Sequence, residues 1–363
     1  MSNDRHVSDA RRAAAGPTGF RPYLAVFGGI ASLLGTALVA TAWVIDPFFL
    51  HVSPQRAASV MVSNADPYSA WGKTRAIAER KPQVIYVGTS RVEVGLPTSH
   101  PAFPAGAAFN GALAAGSVAD AAAMIEHALA VTAPDAVVVG LEFGRFQVAP
   151  GNPGFDRGLV ARSARWYSLQ RLPMELKQSL SPDILEETLH WITGSAVREC
   201  RSSLAHAGTR DSGCLQSSID RAGGAASVIE NDVKGAMRVD AAETSLRAEL
   251  AYPVFQQAIE KLCARSVRVR TFVHPSHGLA LHAYVSRHGW AALDAWKARI
   301  TDIVARSRDG GCDIRLLDFS GFDPIVAEPV PQEGGPTELR WHWEGAHYRE
   351  RLGALVLSRL FDV

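Results

Sequence analysis

One uncharged stretch, residues 23–45 (YLAVFGGIASLLGTALVATAWVI), constrains this chain more than any other feature. A helix rises about 1.5 Å per residue, so this run is about 34 Å long and can cross a hydrocarbon core of ~30 Å. A cleaved signal peptide has a shorter apolar core that ends at a small-residue site. Ala40-Thr41-Ala42 looks like such a site but lies inside the run, and Asp46-Pro47-Phe48-Phe49 follows it. The segment is therefore expected to remain as an anchor. Arg5, Arg11, Arg12 and Arg21 precede it, offset only by Asp4 and Asp9. The positive-inside rule then makes residues 1–22 cytoplasmic, 23–45 transmembrane and 46–363 external. In a bacterium this describes a single-pass inner-membrane protein with a periplasmic main domain.

The exported part has ample material for a core, because the chain is 47% hydrophobic and 20% charged. Lys and Arg number 37 against 36 Asp and Glu, a net charge of +1. That balance lacks the electrostatic footprint of a nucleic-acid binder, so no nucleic acid is expected as a partner. All four cysteines, Cys200, Cys214, Cys263 and Cys312, fall on the outer side. An even number without metal-site spacing or a CxxC fits an oxidising compartment. Two bridges are expected: a local Cys200–Cys214 pair closing a polar loop, and a long-range Cys263–Cys312 pair joining segments that each lead into a strand.

Continuous apolar runs bounded by Pro and Gly mark strands buried on both faces. They occur at 84–87, 107–110, 136–141, 267–273 and 313–319. Helical patterns lie between and after them, at 118–131, 245–264, 290–307 and 347–360. The alternation predicts an α/β fold, a doubly wound parallel sheet with helices on both faces. A polar stretch at about 150–242 breaks the rhythm. It is expected to be an insertion or cap with helical pieces at 159–172 and 182–192.

Ligands of open parallel sheets bind at the carboxyl ends of the strands. Residues there are Gly88-Thr89-Ser90-Arg91 after the first strand, then Asn110, Gly111 and Gly116 after the second. Glu142 and Arg145 follow the third, His274 and His277 the fourth, and Asp318 and Ser320 the fifth. Ser90 is placed to be a nucleophile, which needs a base and a carboxylate to orient that base. Glu344 and His347, three residues apart at the start of the last expected helix, supply both. Arg91 and Glu142 are expected to pair between adjacent strand ends. His274 and His277 lack a third ligand at a telling spacing and are expected to line a pocket or loop. Trp341 and Trp343 suit either a sugar-stacking platform or the core. No P-loop Lys follows Gly88-Thr89-Ser90, and neither a metal nor a cofactor is expected.

These blocks resemble the SGNH (GDSL-like) hydrolase superfamily from about residue 80 to the end, apart from 150–242. The membrane-anchored layout with GTSR, FNGALAAGS, VVVGLEF and WEGAHY is similar to SGNH-like proteins of the alginate-acetylation type. The resemblance implies a three-layer, flavodoxin-like fold. It makes Ser90 the nucleophile, His347 the general base and Glu344 the orienter in place of the family's Asp. It also makes Gly116, with Gly111 as the alternative beside Asn110, an oxyanion donor alongside the N–H of Ser90. The chain departs from the family pattern in having Thr89 for Asp and no Asn after the third strand, where Arg91 or Arg145 is the available substitute.

Two readings follow. One is a periplasmic serine esterase or O-acyltransferase acting on an acylated glycan, working beside a membrane acyltransferase or polysaccharide export complex, with Arg91, Glu142 and His277 among its substrate-binding residues. The other is a non-catalytic SGNH-like subunit that binds glycan or scaffolds such a complex. The intact Ser, Glu and His favour the first, and the missing Asn favours the second.

Overall fold

The computed structural model describes residues 20–363 except 52, 54, 57, 58, 60, 63–67, 148–150, 197, 237–243 and 332–337. Arg5, Arg11 and Arg12 of the basic flank, and both ends of the 150–242 insertion, lie outside the described residues.

Helix α1 (Phe20–Ile45) contains the uncharged run and is long and apolar enough to cross a membrane. It stops at Asp46, which has φ +45° and precedes Pro47, a combination that disfavours further helix. The buried Asp46 carboxylate accepts the N–H groups of Leu50 (2.7 Å) and His51 (3.0 Å), turning the chain into the domain.

Helix α2 (Ser69–Arg80) leads to strand β1 (Val84–Val87) and the short helix α3 (Ser90–Gly95). Strand β2 (Ala108–Asn110), helix α4 (Val118–Val131), strand β3 (Ala136–Leu141) and helix α5 (Phe143–Gln147) follow. Helix α4 opens with a reciprocal capping box between Ser117 and Asp120. The insertion contributes α6 (Tyr167–Ser179), α7 (Pro182–Thr193), α8 (Ser212–Arg221) and α9 (Ala225–Ala236). Helix α10 (Thr244–Cys263) returns to β4 (Arg268–Val273), then α11 (Gly278–His288), α12 (Trp290–Asp309), β5 (Ile314–Asp318) and α13 (Glu350–Phe361).

The five strands form one all-parallel sheet in the order β2-β1-β3-β4-β5. Alternate side chains of each strand enter opposite layers. Ile85, Val87, Val137 and Val139 pack with Ile77, Met124, Ile259 and Ile300 from the helices of one face. Val84, Tyr86 and Val138 pack with Leu352, Val356 and Leu360 of α13 on the other. Helices therefore cover both faces. A two-stranded antiparallel ribbon pairs Met61–Val62 with Cys200–Arg201. Disulfides join Cys200 to Cys214 and Cys263 to Cys312.

Three expectations change. The 159–172 helix is two short 3-10 turns followed by α6, which runs on to Ser179. Helix α13 begins at Glu350, so Glu344 and His347 lie in a loop ahead of it. Carboxylates hold that loop: Glu328 accepts the N–H groups of Arg340, Trp341 and His342, and Glu344 accepts those of Ala346 and His347. A bridge between His342 and Tyr348 closes it. Finally, Trp343 is buried against Val94 and Leu339 and covered by Arg349 at 3.9 Å, while Trp341 packs against the α13 cluster, so both serve the core.

Candidate active site

Ser90 opens α3 directly after β1. The turn requires Gly88, which has φ +149° and whose added Cβ would stand 2.6 Å from Val92 Cγ2. Thr89 caps α3, its Oγ1 accepting the Arg91 N–H at 3.3 Å. Helix α3 is seated against α13 by a close approach at Gly353, where a Cβ would fall 1.8 Å from Gly95 O, and against the loop before α13 at Gly95, where a Cβ would fall 2.1 Å from the Tyr348 ring.

The loop before α13 brings His347 to this turn from the far end of the chain. Ser90 Oγ lies 2.9 Å from His347 Nε2. The other ring nitrogen, Nδ1, is hydrogen-bonded to Glu344 Oε1. A proton on Nδ1 donates to the carboxylate and leaves Nε2 as the acceptor for the Ser90 hydroxyl, which is the tautomer a general base needs. Glu344 also accepts the Ala346 N–H at 2.6 Å and the His347 N–H at 3.0 Å. Burial alone would raise its pKa. The adjacent His347 and these hydrogen bonds outweigh burial and hold the carboxyl below its ordinary range.

A second acid meets this carboxylate. Asp232, on α9 of the insertion, sits beside Glu344 and the Gly345 backbone. Burial first, and then the hydrogen bond to Glu344 and its charge, push its carboxyl well above the ordinary range. Of the two acids, Asp232 therefore keeps a proton while Glu344 stays ionised. Nothing in the motif IENDVKG announces this pairing, because it depends on how the insertion folds back.

The strand-end residues fall into two groups. Arg91 Nη2 pairs with Glu142 Oε1 at 3.4 Å, Thr89 Oγ1 donates to Glu142 Oε2 at 3.1 Å, and Arg91 Nη1 donates to Ser276 Oγ. Burial would raise Glu142, but Arg91 and Arg145 hold it lowered. Of these, Arg91, Glu142 and Ser276 line the cavity at the carboxyl ends of β3 and β4. The second group is committed elsewhere. Gly116 N–H donates to Leu113 O at 3.0 Å and Gly111 N–H to Tyr86 O at 2.9 Å, so neither is free to meet an oxyanion in this arrangement. Asn110 is fully buried, donates to Val92 O at 2.8 Å and accepts the Ala112 N–H, tying β2 to α3. His277 is buried, contacts Glu328 O at 2.9 Å and caps α11 through Nδ1. It holds the loop and takes no place in the cavity wall. His274 is buried with Nδ1 facing the Tyr348 hydroxyl at 3.3 Å. Burial, and then the Arg91 charge, lower its pKa to about 3, so it is neutral near pH 7.

A cavity of about 220 Å³ opens at the carboxyl ends of β3 and β4. Leu141, Phe143, Val273, Leu281 and Trp296 form its apolar wall and Arg91, Glu142, Asp232 and Ser276 its polar side, with Ala346 at its edge. Arg91 and Ala346 are the chain neighbours of Ser90 and His347, so the cavity adjoins the triad. The sequence patterns had not marked Asp232, Tyr284 or Trp296. The last two lie on helices whose cavity-facing residues read as ordinary core. Among the described residues, the one grouping of potential metal ligands is Glu199 with Cys200 and Cys214, whose sulfurs are joined in a disulfide.

No protein-family model matches the sequence, and no curated protein matches it either. The fold and the local chemistry therefore carry the functional argument.

Proposed function

We propose that this protein is an SGNH-type serine esterase or O-acyltransferase, anchored in the bacterial inner membrane by α1, with its α/β domain in the periplasm. The hydrogen-bonded chain Ser90–His347–Glu344 carries this reading, since it joins residues 257 positions apart at the carboxyl edge of a parallel sheet. Ser90 Oγ attacks an acyl carbonyl while His347 Nε2 takes the hydroxyl proton. Glu344 remains ionised and steadies the imidazolium. His347 then gives the proton to the leaving alcohol, and water or a sugar hydroxyl resolves the acyl-enzyme by the reverse path. The Ser90 N–H, at the start of α3 where a helix has no acceptor of its own, is the nearest backbone donor for the oxyanion. Arg91 supplies positive charge on the same turn.

The cavity beside the triad receives the acyl group in this reading. At about 220 Å³ it exceeds the ~150 Å³ cavity known to hold benzene, so it admits acyl groups larger than acetyl. The acylated partner is an envelope glycan, reached from the membrane surface beside an acyltransferase or export complex.

The test is labelling of the full chain by a fluorophosphonate and turnover of p-nitrophenyl acyl esters, with Ser90→Ala and His347→Ala in parallel. Labelling and turnover that disappear in both variants are expected. One observation favours the second reading, a non-catalytic glycan-binding or scaffolding subunit: the Gly111 and Gly116 N–H groups are committed to backbone carbonyls. A folded wild type that neither labels nor turns over would select that reading, and activity in Ser90→Ala would reject Ser90 as nucleophile.

A further inference from the structure

Among the described residues, half of the large apolar side chains exposed outside α1 lie between Trp166 and Ile192. On α6 and at its end they recur at helical spacing: Leu169, Leu172, Leu176 and Leu180 are 62%, 43%, 46% and 56% exposed. The opposite face of the same helix is buried and carries Tyr167, Arg171, Glu175 and Ser179. Arg171 is only 1% exposed and spends its donors on Glu175, Leu50 O, Thr74 Oγ1, Trp71 O and the Tyr167 hydroxyl. Helix α6 thus turns Arg171 and Glu175 inward and its leucines outward, with Lys177 of its last turn the one charge left on the outer side, which reverses most of the pattern of a helix facing water. Leu189 and Ile192 of the neighbouring α7 are exposed as well, at 49% and 58%. An apolar surface of this extent marks contact with something apolar.

The adjoining helix identifies the medium. Both α6 and α7 pack against α1. They meet its last two turns, where Leu38, Val39, Ala42, Trp43 and Ile45 are partly or wholly covered, whereas residues 20–37 are exposed throughout. The uncharged part of that stretch, residues 23–37, is about 22 Å long at ~1.5 Å per residue, short of the ~30 Å hydrocarbon core of a bilayer. A bilayer entered just after Arg21 therefore reaches the level at which α6 and α7 begin. The flanking aromatics suit that boundary: Arg165 lies 4.9 Å over Trp166, and Arg198 lies 3.3 Å over Trp191.

We propose that α6 and α7 form a second membrane contact, their leucine face lying in the outer boundary of the bilayer that α1 crosses. The contact holds the domain against the lipid surface, so that α1 is not a free tether. It rests on α1 being the membrane anchor and is independent of the chemistry at Ser90.

Spin-label accessibility tests it on the full chain in phosphatidylcholine nanodiscs. The four native cysteines are paired, so one introduced thiol defines each labelled site. Labels go at Leu33→Cys in α1, at Leu172→Cys, Leu176→Cys and Leu189→Cys on the proposed face, and at Leu355→Cys on α13 across the sheet. Leu33 and the three face positions are expected to favour oxygen over a water-soluble nickel chelate, and Leu355 the chelate over oxygen. Chelate access at 172, 176 and 189 equal to that at 355, with Leu33 still in lipid, would overturn the docking proposal and leave the anchor standing. Chelate access at Leu33 would overturn both. Shielding of the three positions from oxygen and nickel alike would mean that protein, a second copy or another chain, covers the face, and would also overturn it.

Discussion

Lys73→Met tests how the nucleophile turn is held. Lys73 is fully buried on α2 and donates to Glu93 Oε1 at 2.8 Å and to Ala112 O at 2.6 Å. Glu93 is 2% exposed on α3, three residues after Ser90, and its second oxygen faces Arg210 at 3.7 Å without a hydrogen bond. Burial would raise the Glu93 pKa, but Lys73 and then Arg210 hold it below the ordinary range. In the wild type Glu93 therefore adds stability above the ordinary carboxyl pKa, and this is lost as pH falls through the lowered value. Removing Lys73 leaves a buried carboxylate with only the more distant Arg210. Breaking such a pair costs ~3–5 kcal/mol. At ~2 °C per kcal/mol for a large domain, the melting midpoint falls by about 6–10 °C. The pH dependence also weakens: with burial opposed mainly by Arg210, the Glu93 carboxyl is lowered less, so the variant gains less stability than wild type as pH rises. Lys73→Met/Glu93→Leu removes both charges and is expected to recover most of the loss, since apolar replacement of a buried pair is often neutral or stabilising by ~1–4 kcal/mol. The assay is thermal unfolding of the full chain in detergent, followed by near-ultraviolet circular dichroism at pH 5 and pH 8. A Lys73→Met midpoint within 2 °C of wild type, or a double variant as unstable as the single one, would refute the reasoning.

Four further outcomes are expected. Glu344→Gln keeps the shape of the triad but favours the wrong imidazole tautomer, so ester turnover falls ~10⁴-fold, and a loss under ~10-fold would deny Glu344 its orienting role. Asp232 has a raised pKa, so its contribution to stability is full below the ordinary carboxyl pKa and is lost as pH rises through the raised one. Asp232→Asn should therefore match wild type at pH 4 and exceed it in thermal midpoint at pH 9; equal midpoints at both would show that no raised acid is present. Cys263→Ser/Cys312→Ser opens a link of sequence separation 49, worth about 4 kcal/mol by loop-closure entropy, and urea unfolding should read that loss. Ala280→Phe fills the cavity that Ala280 lines. It should lower the hexanoate-to-acetate ester preference by at least ~10-fold, roughly what one or two methylenes are worth in an apolar pocket, and an unchanged ratio would place the acyl group elsewhere.

The elements legible in the sequence are those whose residues obey a single local rule. VIYV and AVVVGL are buried on both faces, so they read as continuous apolar runs, and the sheet follows from their alternation with helices. Ser90 was legible because parallel strands present their carboxyl ends along one edge, and Glu344 and His347 because their three-residue spacing sets a carboxylate beside an imidazole. Helix α2 was not, because its buried face contains Ser69, Lys73 and Thr74, whose partners lie on other elements. The commitment of the Gly116 N–H was hidden for a similar reason. It depends on a turn in which Ala115 takes φ +55°, which no local signal at Ala115 announces.

The insertion at 150–242 carries this argument furthest. Its polarity marked it in the sequence as an insertion or cap, without saying which way its polar residues face. Its acids and bases face inward at two places. Arg171 and Glu175 bind α6 to Leu50, Trp71 and Arg75, at the foot of α1. Asp232 lies against Glu344, and Gln216 of α8 accepts from Arg349, next to the loop that carries His347. Buried polar pairs such as Arg171 with Glu175 resist displacement, because removing one partner strands the other in a medium of low dielectric. The insertion is thus bolted by polar contacts to the foot of α1 at one end and to the loop that carries His347 at the other. A rigid connection of this kind would fix the height of Ser90 above the bilayer, which an enzyme that takes its acyl group from a membrane-bound donor requires and one that hydrolyses freely diffusing esters does not.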